Sequence, residues 1–193
     1  SEEDMLTEVG RHSIALLKVM HPDETFEELQ EYARAIEDTF QTETGKSVLV
    51  GISEPREDLI NIPEAFEEAR NAINIGRIYH SGRTVFAYRN LLLERFLNEV
   101  APDMSAQYNA MIFNRKTARL FNDEMLHTIE MFFAKDLNLS DTARQLYIHR
   151  NTLVYRLDKV QRQTGLDLRK FDDAVTFKMM MLLGKSGKDK PRP

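Results

Sequence analysis

Cysteine is absent from all 193 residues. That excludes disulfides, thiolate metal sites and thiol chemistry. Long apolar runs are absent too, since none approaches the roughly 20 residues a helix needs to span a bilayer. No charged-then-apolar leader opens the chain. The first residue is Ser1 rather than Met, which suggests a piece of a longer protein. A reducing cytoplasm fits these absences, and no membrane partner is expected. What is present is enough apolar matter for a core: hydrophobic residues make up 42% of the chain, which argues against disorder throughout. The length suits one or two domains.

The net charge of −5 conceals an asymmetry. From Glu124 onward Lys and Arg number 13 against 9 Asp and Glu, whereas the residues before it carry 13 against 22. An acidic front and a basic back predict two modules, with any polyanion partner belonging to the back one.

The front half alternates two periods. The short apolar run His12–Met20 predicts a buried strand. Phe26, Leu29, Ala33, Ile36 and Phe40 then recur at three- and four-residue steps, as one stripe on a long helix that Gly45 is placed to stop. Ser47–Ile52 predicts a second buried strand. Pro63 opens a helix whose inner face carries Phe66, Ala69 and Ile73, and Ser81-Gly82 turns the chain into a short strand, Thr84–Ala87. Strands alternating with helices indicate a sheet domain. From Leu91 onward no strand is expected. A helix over Leu91–Val100 is broken at Ala101-Pro102-Asp103, a helical stretch covers Tyr108–Phe121, and Met125, Ile129, Phe132 and Phe133 mark the next amphipathic helix.

The informative segment is Asn138–Gly165. Ser140 is a good N-cap, and Asp141 and Thr142 open a short helix. The small Ala143 lets a second helix cross closely, and a turn at Tyr147–His149 leads into it. There Leu153, Leu157 and Val160 form the buried stripe. On a wheel of about 100° per residue, Thr152, Tyr155, Arg156 and Lys159 share the other side. Arg150 and Asn151 stand at the N-terminal end, and Arg162 lies one turn further on. A recognition helix works this way: its first residues reach base edges and later basic residues meet phosphate. Arg can grip guanine and Asn adenine with two bonds each. Any amphipathic helix has a charged solvated face, but two short helices, a tight turn and an Arg-Asn-Thr start together point to DNA. The candidate contact set is Ser140, Thr142, His149, Arg150, Asn151, Thr152, Tyr155, Arg156, Lys159 and Arg162.

The run Leu139-Ser-Asp-Thr-Ala-Arg144, then Ile148-His-Arg-Asn-Thr-Leu-Val-Tyr-Arg-Leu157, then Thr164-Gly-Leu-Asp-Leu168 closely resembles the C-terminal helix-turn-helix of the PucR/CdaR regulators. The resemblance extends from about Thr128 to Leu183. These are bacterial regulators of catabolic operons, and the domain is Fis-like. Tyr147 departs from the wider pattern, in which Gly is common at the turn. The resemblance also implies a degenerate GGDEF-type domain in front, with Val48–Ser53, the helix around Ala65, Ala69 and Ala72, and Tyr79–Val85 as its closing strand–helix–strand. Its signature hairpin would fall at Val9–Leu16, where only Gly10 of the motif survives. A diguanylate cyclase needs acidic residues there to hold divalent metal against GTP. Arg11, His12 and Ser13 supply none, and the chain has no Gly-Gly pair. The first strand and helix of that domain are expected to lie upstream of the chain.

Other constellations carry less. His12, His21, His80, His127 and His149 show no paired ligand spacing, and Ser13 beside His12 has no oriented acid behind it. Met179–Met181 with Leu182 and Leu183 fits the core face of a terminal helix. The expectation is therefore an α+β chain. A partial GGDEF-like α/β sheet domain occupies 1–100, a helical connector 101–123, an all-α Fis-like helix-turn-helix domain 124–185, and a disordered tail 186–193. The expected function is sequence-specific regulation of transcription on a double-stranded DNA operator, as a homodimer, with neither catalysis nor a cofactor. The resemblance implies an effector, a sugar diacid being one candidate beside purine breakdown products and amino acids, bound by a domain upstream. The alternatives are a nucleotide-sensing signalling protein that uses the GGDEF-like domain, and a Fis-like architectural protein.

Overall fold

The computed structural model describes residues 4–186. It is an α+β chain of two compact units, one running to Arg95 and one beginning at Phe96. The tail expected over 186–193 lies, beyond Ser186, outside the described residues.

The first unit opens with an antiparallel hairpin, β1 (Met5–Gly10) and β2 (Ser13–Leu17), turned at Arg11-His12 with a register shift between Glu8 and Gly10. α1 (Phe26–Thr44) follows. Thr25 and Glu28 start it with a reciprocal capping box: the Glu28 amide donates to Thr25 Oγ1 at 3.2 Å, and the Thr25 amide donates to Glu28 Oε2 at 2.7 Å. Gly45 stops it at φ 67°, a left-handed conformation that glycine adopts without steric cost. Next come β3 (Val50–Ile52), α2 (Ile62–Tyr79), β4 (Val85–Ala87) and α3 (Leu92–Asn98).

β3 and β4 pair in parallel, and a parallel pair needs a crossover, which α2 supplies. Side chains alternate across this two-stranded sheet. Val50, Ile52, Val85 and Ala87 pack with Phe26, Leu29 and Ala33 of α1. Phe86 points the other way, against Ala72 of α2. Gly51 lies opposite Phe86 in the register, and its missing side chain lets the backbone of α2 approach at Ala69. Gly76 gives the Phe86 ring its space on the helix. Arg89 ties the unit together: its Nε donates to both oxygens of Glu54 at 3.1 Å, and its guanidinium lies 3.6 Å over the Phe26 ring. Those hydrogen bonds from Arg89 hold the Glu54 carboxyl below its ordinary value.

Three expectations change here. The run His12–Met20 is not a buried strand. β2 ends at Leu17 and, among the described residues, pairs only with β1, leaving Met5, Leu6, Val9, Ile14 and Leu16 exposed. The strand expected over Ser47–Ile52 shortens to Val50–Ile52, because that is the length over which it finds β4. On α1 the apolar stripe is only half used: Ala33 is buried, while Ile36 and Phe40 are exposed.

The second unit is helical: α4 (Pro102–Ile112), α5 (Asp123–Ala134), α6 (Leu139–Gln145), α7 (Arg150–Thr164) and α8 (Phe171–Ser186). The helix expected over Tyr108–Phe121 begins instead at Pro102. Proline lacks the amide that a first helical turn leaves unpaired, so it starts this helix, and the expected break falls between α3 and α4. The helix ends at Ile112, and turns fill 113–121. α4 lies along α8, where Asn109 Nδ2 donates to the Met180 carbonyl at 2.8 Å. One core joins Ile112, Leu120, Met125, Ile129, Phe132, Leu153, Leu157, Val160, Leu168 and Phe177. Phe177 is its centre, with the rings of Phe113 at 5.3 Å, Phe121 at 5.5 Å and Phe133 at 6.4 Å.

The packing of the first unit predicts that Gly51→Ala is damaging, because the new methyl would collide with the Ala69 carbonyl. A loss of about 1–3 kcal/mol is expected from such overpacking. Gly10→Ala meets nothing within 4 Å and should stay within about 0.5 kcal/mol of wild type. Urea unfolding followed by circular dichroism measures both.

Candidate nucleic-acid interface

The site is built by three caps and one turn. Asn122 starts α5, its side chain accepting from the Met125 amide at 2.9 Å. Asn138, not Ser140, starts α6: its Oδ1 accepts from the amides of Ser140 at 2.9 Å and Asp141 at 3.1 Å. Asparagine one residue before the helix reaches the second and third free amides, so the cap lies two residues earlier than expected. His149 starts α7, with Nδ1 accepting from the Asn151 amide at 3.1 Å, and Gly165 ends it at φ 80°.

The turn between α6 and α7 closes with two reverse hydrogen bonds. The Ile148 amide donates to the Ala143 carbonyl at 3.0 Å, and the Tyr147 amide to the Arg144 carbonyl at 3.2 Å. That is the Schellman pattern, which requires a left-handed residue between its arms. Here that residue is Tyr147, at φ 54° with 94% of its surface exposed. A bulky residue in that region is uncommon. The tyrosine takes the geometry that glycine would take, and its ring stands in solvent.

Ala143 is buried, so α6 and α7 meet closely. Leu153, Leu157 and Val160 are fully buried, which turns Arg150, Asn151, Thr152, Tyr155, Lys159 and Arg162 outward. Ser140 and His149 are exposed as well. The Arg162 guanidinium lies 6.0 Å from the Tyr155 ring centroid. Behind this face Arg169 pins the loop after α7, pairing with Asp158 at 2.9 Å and donating to Gln161 Oε1 at 2.9 Å. Its Nε also donates to Asp167 Oδ1 at 2.6 Å, and that bond holds the Asp167 carboxyl below its ordinary value.

Two of the ten expected contact residues are placed differently. Thr142 is buried, and its hydroxyl donates to the Asn138 carbonyl at 2.7 Å, so it closes the first turn of α6. Arg156 is turned toward α5. Its Nη1 donates to Thr128 Oγ1 at 2.7 Å, and its Nη2 pairs with the Glu124 carboxylate. The Thr128 hydroxyl in turn donates to the Glu124 carbonyl at 2.8 Å. A helical wheel places Arg156 next to Tyr155 and cannot see that α5 passes beside it. Sequence reasoning also passed over Arg144 on α6, whose side chain is 80% exposed and pairs with Asp141 at 3.3 Å. Its charge and helical position were the available signals.

Comparison with known proteins agrees with this geometry. Residues 125–183 match the PucR C-terminal helix-turn-helix domain, and residues 2–75 match a GGDEF-like domain. Together the two matches support placing the chain among the PucR/CdaR regulators. It is 29% identical over 149 residues to the purine catabolism regulatory protein of Bacillus subtilis, an alignment covering 75% of this chain and 28% of that one. It is 28% identical over 123 residues to the carbohydrate diacid regulator of Escherichia coli, covering 64% and 32%. The chain spans about a third of the length of the curated relatives it matches. The solved structure of a regulator of polyketide synthase expression from Bifidobacterium adolescentis overlays at a TM-score of 0.41 with 21% identity, over 66% of this chain and 49% of that one. No helix of the described residues is long and apolar enough to cross a membrane.

The Arg156 contacts predict an asymmetry. Arg156 is 20% exposed and Glu124 is 70% exposed. The ion pair is therefore weak, on the order of 0–1 kcal/mol, and the bond to Thr128 carries more. Arg156→Ala should cost about 1–3 kcal/mol, and Glu124→Gln under about 1 kcal/mol. Thermal melts of the two single variants and the double variant measure the split.

Proposed function

We propose that this chain regulates transcription by binding duplex DNA sequence-specifically through the exposed side of α7. The observation that carries the reading is the Arg150-Asn151-Thr152 start of that helix, solvent-exposed and rigidly mounted over a stripe with no exposure at all. Arg150 and Asn151 have the donor and acceptor geometry for bidentate contacts to guanine and adenine. Tyr155, Lys159 and Arg162 lie further along the same side, where backbone phosphates pass. The regulated genes form a catabolic operon on this reading, in keeping with relatives named for purine catabolism and carbohydrate diacids. The effector is a small metabolite of that class, bound upstream of this chain, and the setting is the cytoplasm.

A single helix of this kind reads only a few base pairs, too little to single out one site in a genome. The chain therefore acts as a homodimer, with two copies of α7 entering successive major grooves about 34 Å apart. The GGDEF-like domain has a regulatory or pairing role on this reading, since its hairpin presents Arg11, His12 and Ser13 in place of metal-binding carboxylates.

Anisotropy and footprinting on operator DNA test the reading. Arg150→Ala should lose about 1–3 kcal/mol of discrimination between cognate and mismatched sites. Lys159→Ala should weaken all sequences alike and flatten the salt dependence by roughly one unit of slope. The footprint should cover two half-sites. Unchanged binding by both variants would remove α7 from the interface. Separately, incubation with GTP and Mg²⁺ or Mn²⁺ should give no cyclic dinucleotide above a protein-free control, and turnover would overturn the reading of the hairpin.

A further inference from the structure

The turn between α4 and α5 carries a feature that the helix-turn-helix does not account for. Arg115, Lys116 and Arg119 are all exposed, and among the described residues no carboxylate pairs with any of them. Unpaired cations on a surface are ordinary when they sit on mobile loops. These sit on a braced one. Asn114 Oδ1 accepts from the Lys116 amide at 2.9 Å, and the Asn114 amide donates to Thr117 Oγ1 at 3.0 Å. The Thr117 hydroxyl donates to the Ile112 carbonyl at 2.6 Å, and Thr117 is buried. The amides of Ala118 and Leu120 close the turn onto the carbonyls of Asn114 and Thr117, both at 2.9 Å. Two inward anchors, Thr117 and Leu120, thus fix the backbone that carries three outward cations.

The anchors tie this turn to the recognition helix. Leu120 belongs to the same core as Leu153, Leu157 and Val160, and the rings of Phe113 and Phe121 flank Phe177. Arg119 is also five residues from Glu124, so their Cα atoms are at most about 18 Å apart. The Glu124 carboxylate touches Arg156 of α7. The basic turn therefore lies within one helical repeat of duplex, about 34 Å, of the helix that reads the bases.

We propose that Arg115, Lys116 and Arg119 form a second, sequence-independent contact with the phosphate backbone of the duplex that α7 engages. This deepens the DNA-binding reading and rests on it. The turn meets the backbone beside the grooves read by α7, adding affinity and fixing orientation without adding base preference. A braced turn suits that role because its backbone is already ordered, so only side-chain freedom is lost on contact.

The test uses the full chain and a mixed-sequence 40-base-pair duplex, since phosphate contacts need no operator. The triple variant Arg115→Gln/Lys116→Gln/Arg119→Gln should melt where wild type melts, having lost no internal partner. Its affinity should fall at least about tenfold at low salt, and the slope of log affinity against log salt should drop by about two to three units, at roughly 0.9 per phosphate contact. An affinity within twofold of wild type and an unchanged slope would overturn the proposal while leaving the α7 reading intact. If wild type itself fails to bind the duplex at low salt, both fall. The absence of cysteine supplies a second readout. A photo-crosslinker attached at Lys116→Cys should label the duplex, and no labelling under conditions where the modified protein binds would likewise overturn the assignment.

Discussion

The second unit is organised around a single stripe, Leu153, Leu157 and Val160, none of which keeps any solvent exposure. Burying three such side chains contributes on the order of 5–8 kcal/mol, a sizeable part of the net stability of a small domain. The stripe fixes the rotation of α7 about its own axis. A rotation of one residue would bring Val154 or Asp158 inward, and a buried unpaired aspartate costs more than the helix could recover. Arg150, Asn151, Thr152, Tyr155 and Lys159 consequently point outward because of what lies behind them. The surface that meets a partner is set by the core.

Rotation alone leaves the tilt of α7 free, and here polar groups decide. Arg156 lies at the border between the buried and exposed sides, and its bonds to Thr128 and Glu124 link the middle of α7 to the start of α5. The α6–α7 turn sets the other end. Its closure demands a left-handed residue, and Tyr147 supplies it against its own steric preference. With nearly all of its side chain in solvent, Tyr147 loses no packing by standing there. The domain thus holds α7 by an apolar stripe, a guanidinium bridge and a strained turn, and each restrains a different degree of freedom.

Which of these was legible in the sequence follows from their range. The stripe on α7, the N-terminal Arg-Asn-Thr and the glycine stop at Gly45 depend on residues within one or two turns, and local pattern exposes them. The GGDEF-like and helix-turn-helix identities were carried by runs of consecutive residues. The fate of Arg156 depends on residues 28 and 32 positions away, which a wheel does not contain. Thr142 was misread because a threonine early in a helix can face either way, and the Asn138 carbonyl took its hydroxyl. The run His12–Met20 looked like core because a short apolar run does not show whether anything covers it. The Thr25-x-x-Glu28 box was present in the sequence and would have fixed the start of α1.

The residues ahead of α5 show how a small helix-turn-helix core is completed. A unit of about 60 residues buries too little surface to be robust by itself. Phe113 and Phe121 add two rings to Phe177, Ile112 and Leu120 extend the same core, and Asn109 bonds across to α8. The stretch expected to be a helical connector is thereby part of the folded body that carries α7. This has a mechanical consequence within the unit. A displacement of α4 is transmitted to α8 through Asn109 and to the core around α7 through Ile112 and Leu120, since close-packed interiors pass strain on rather than absorb it.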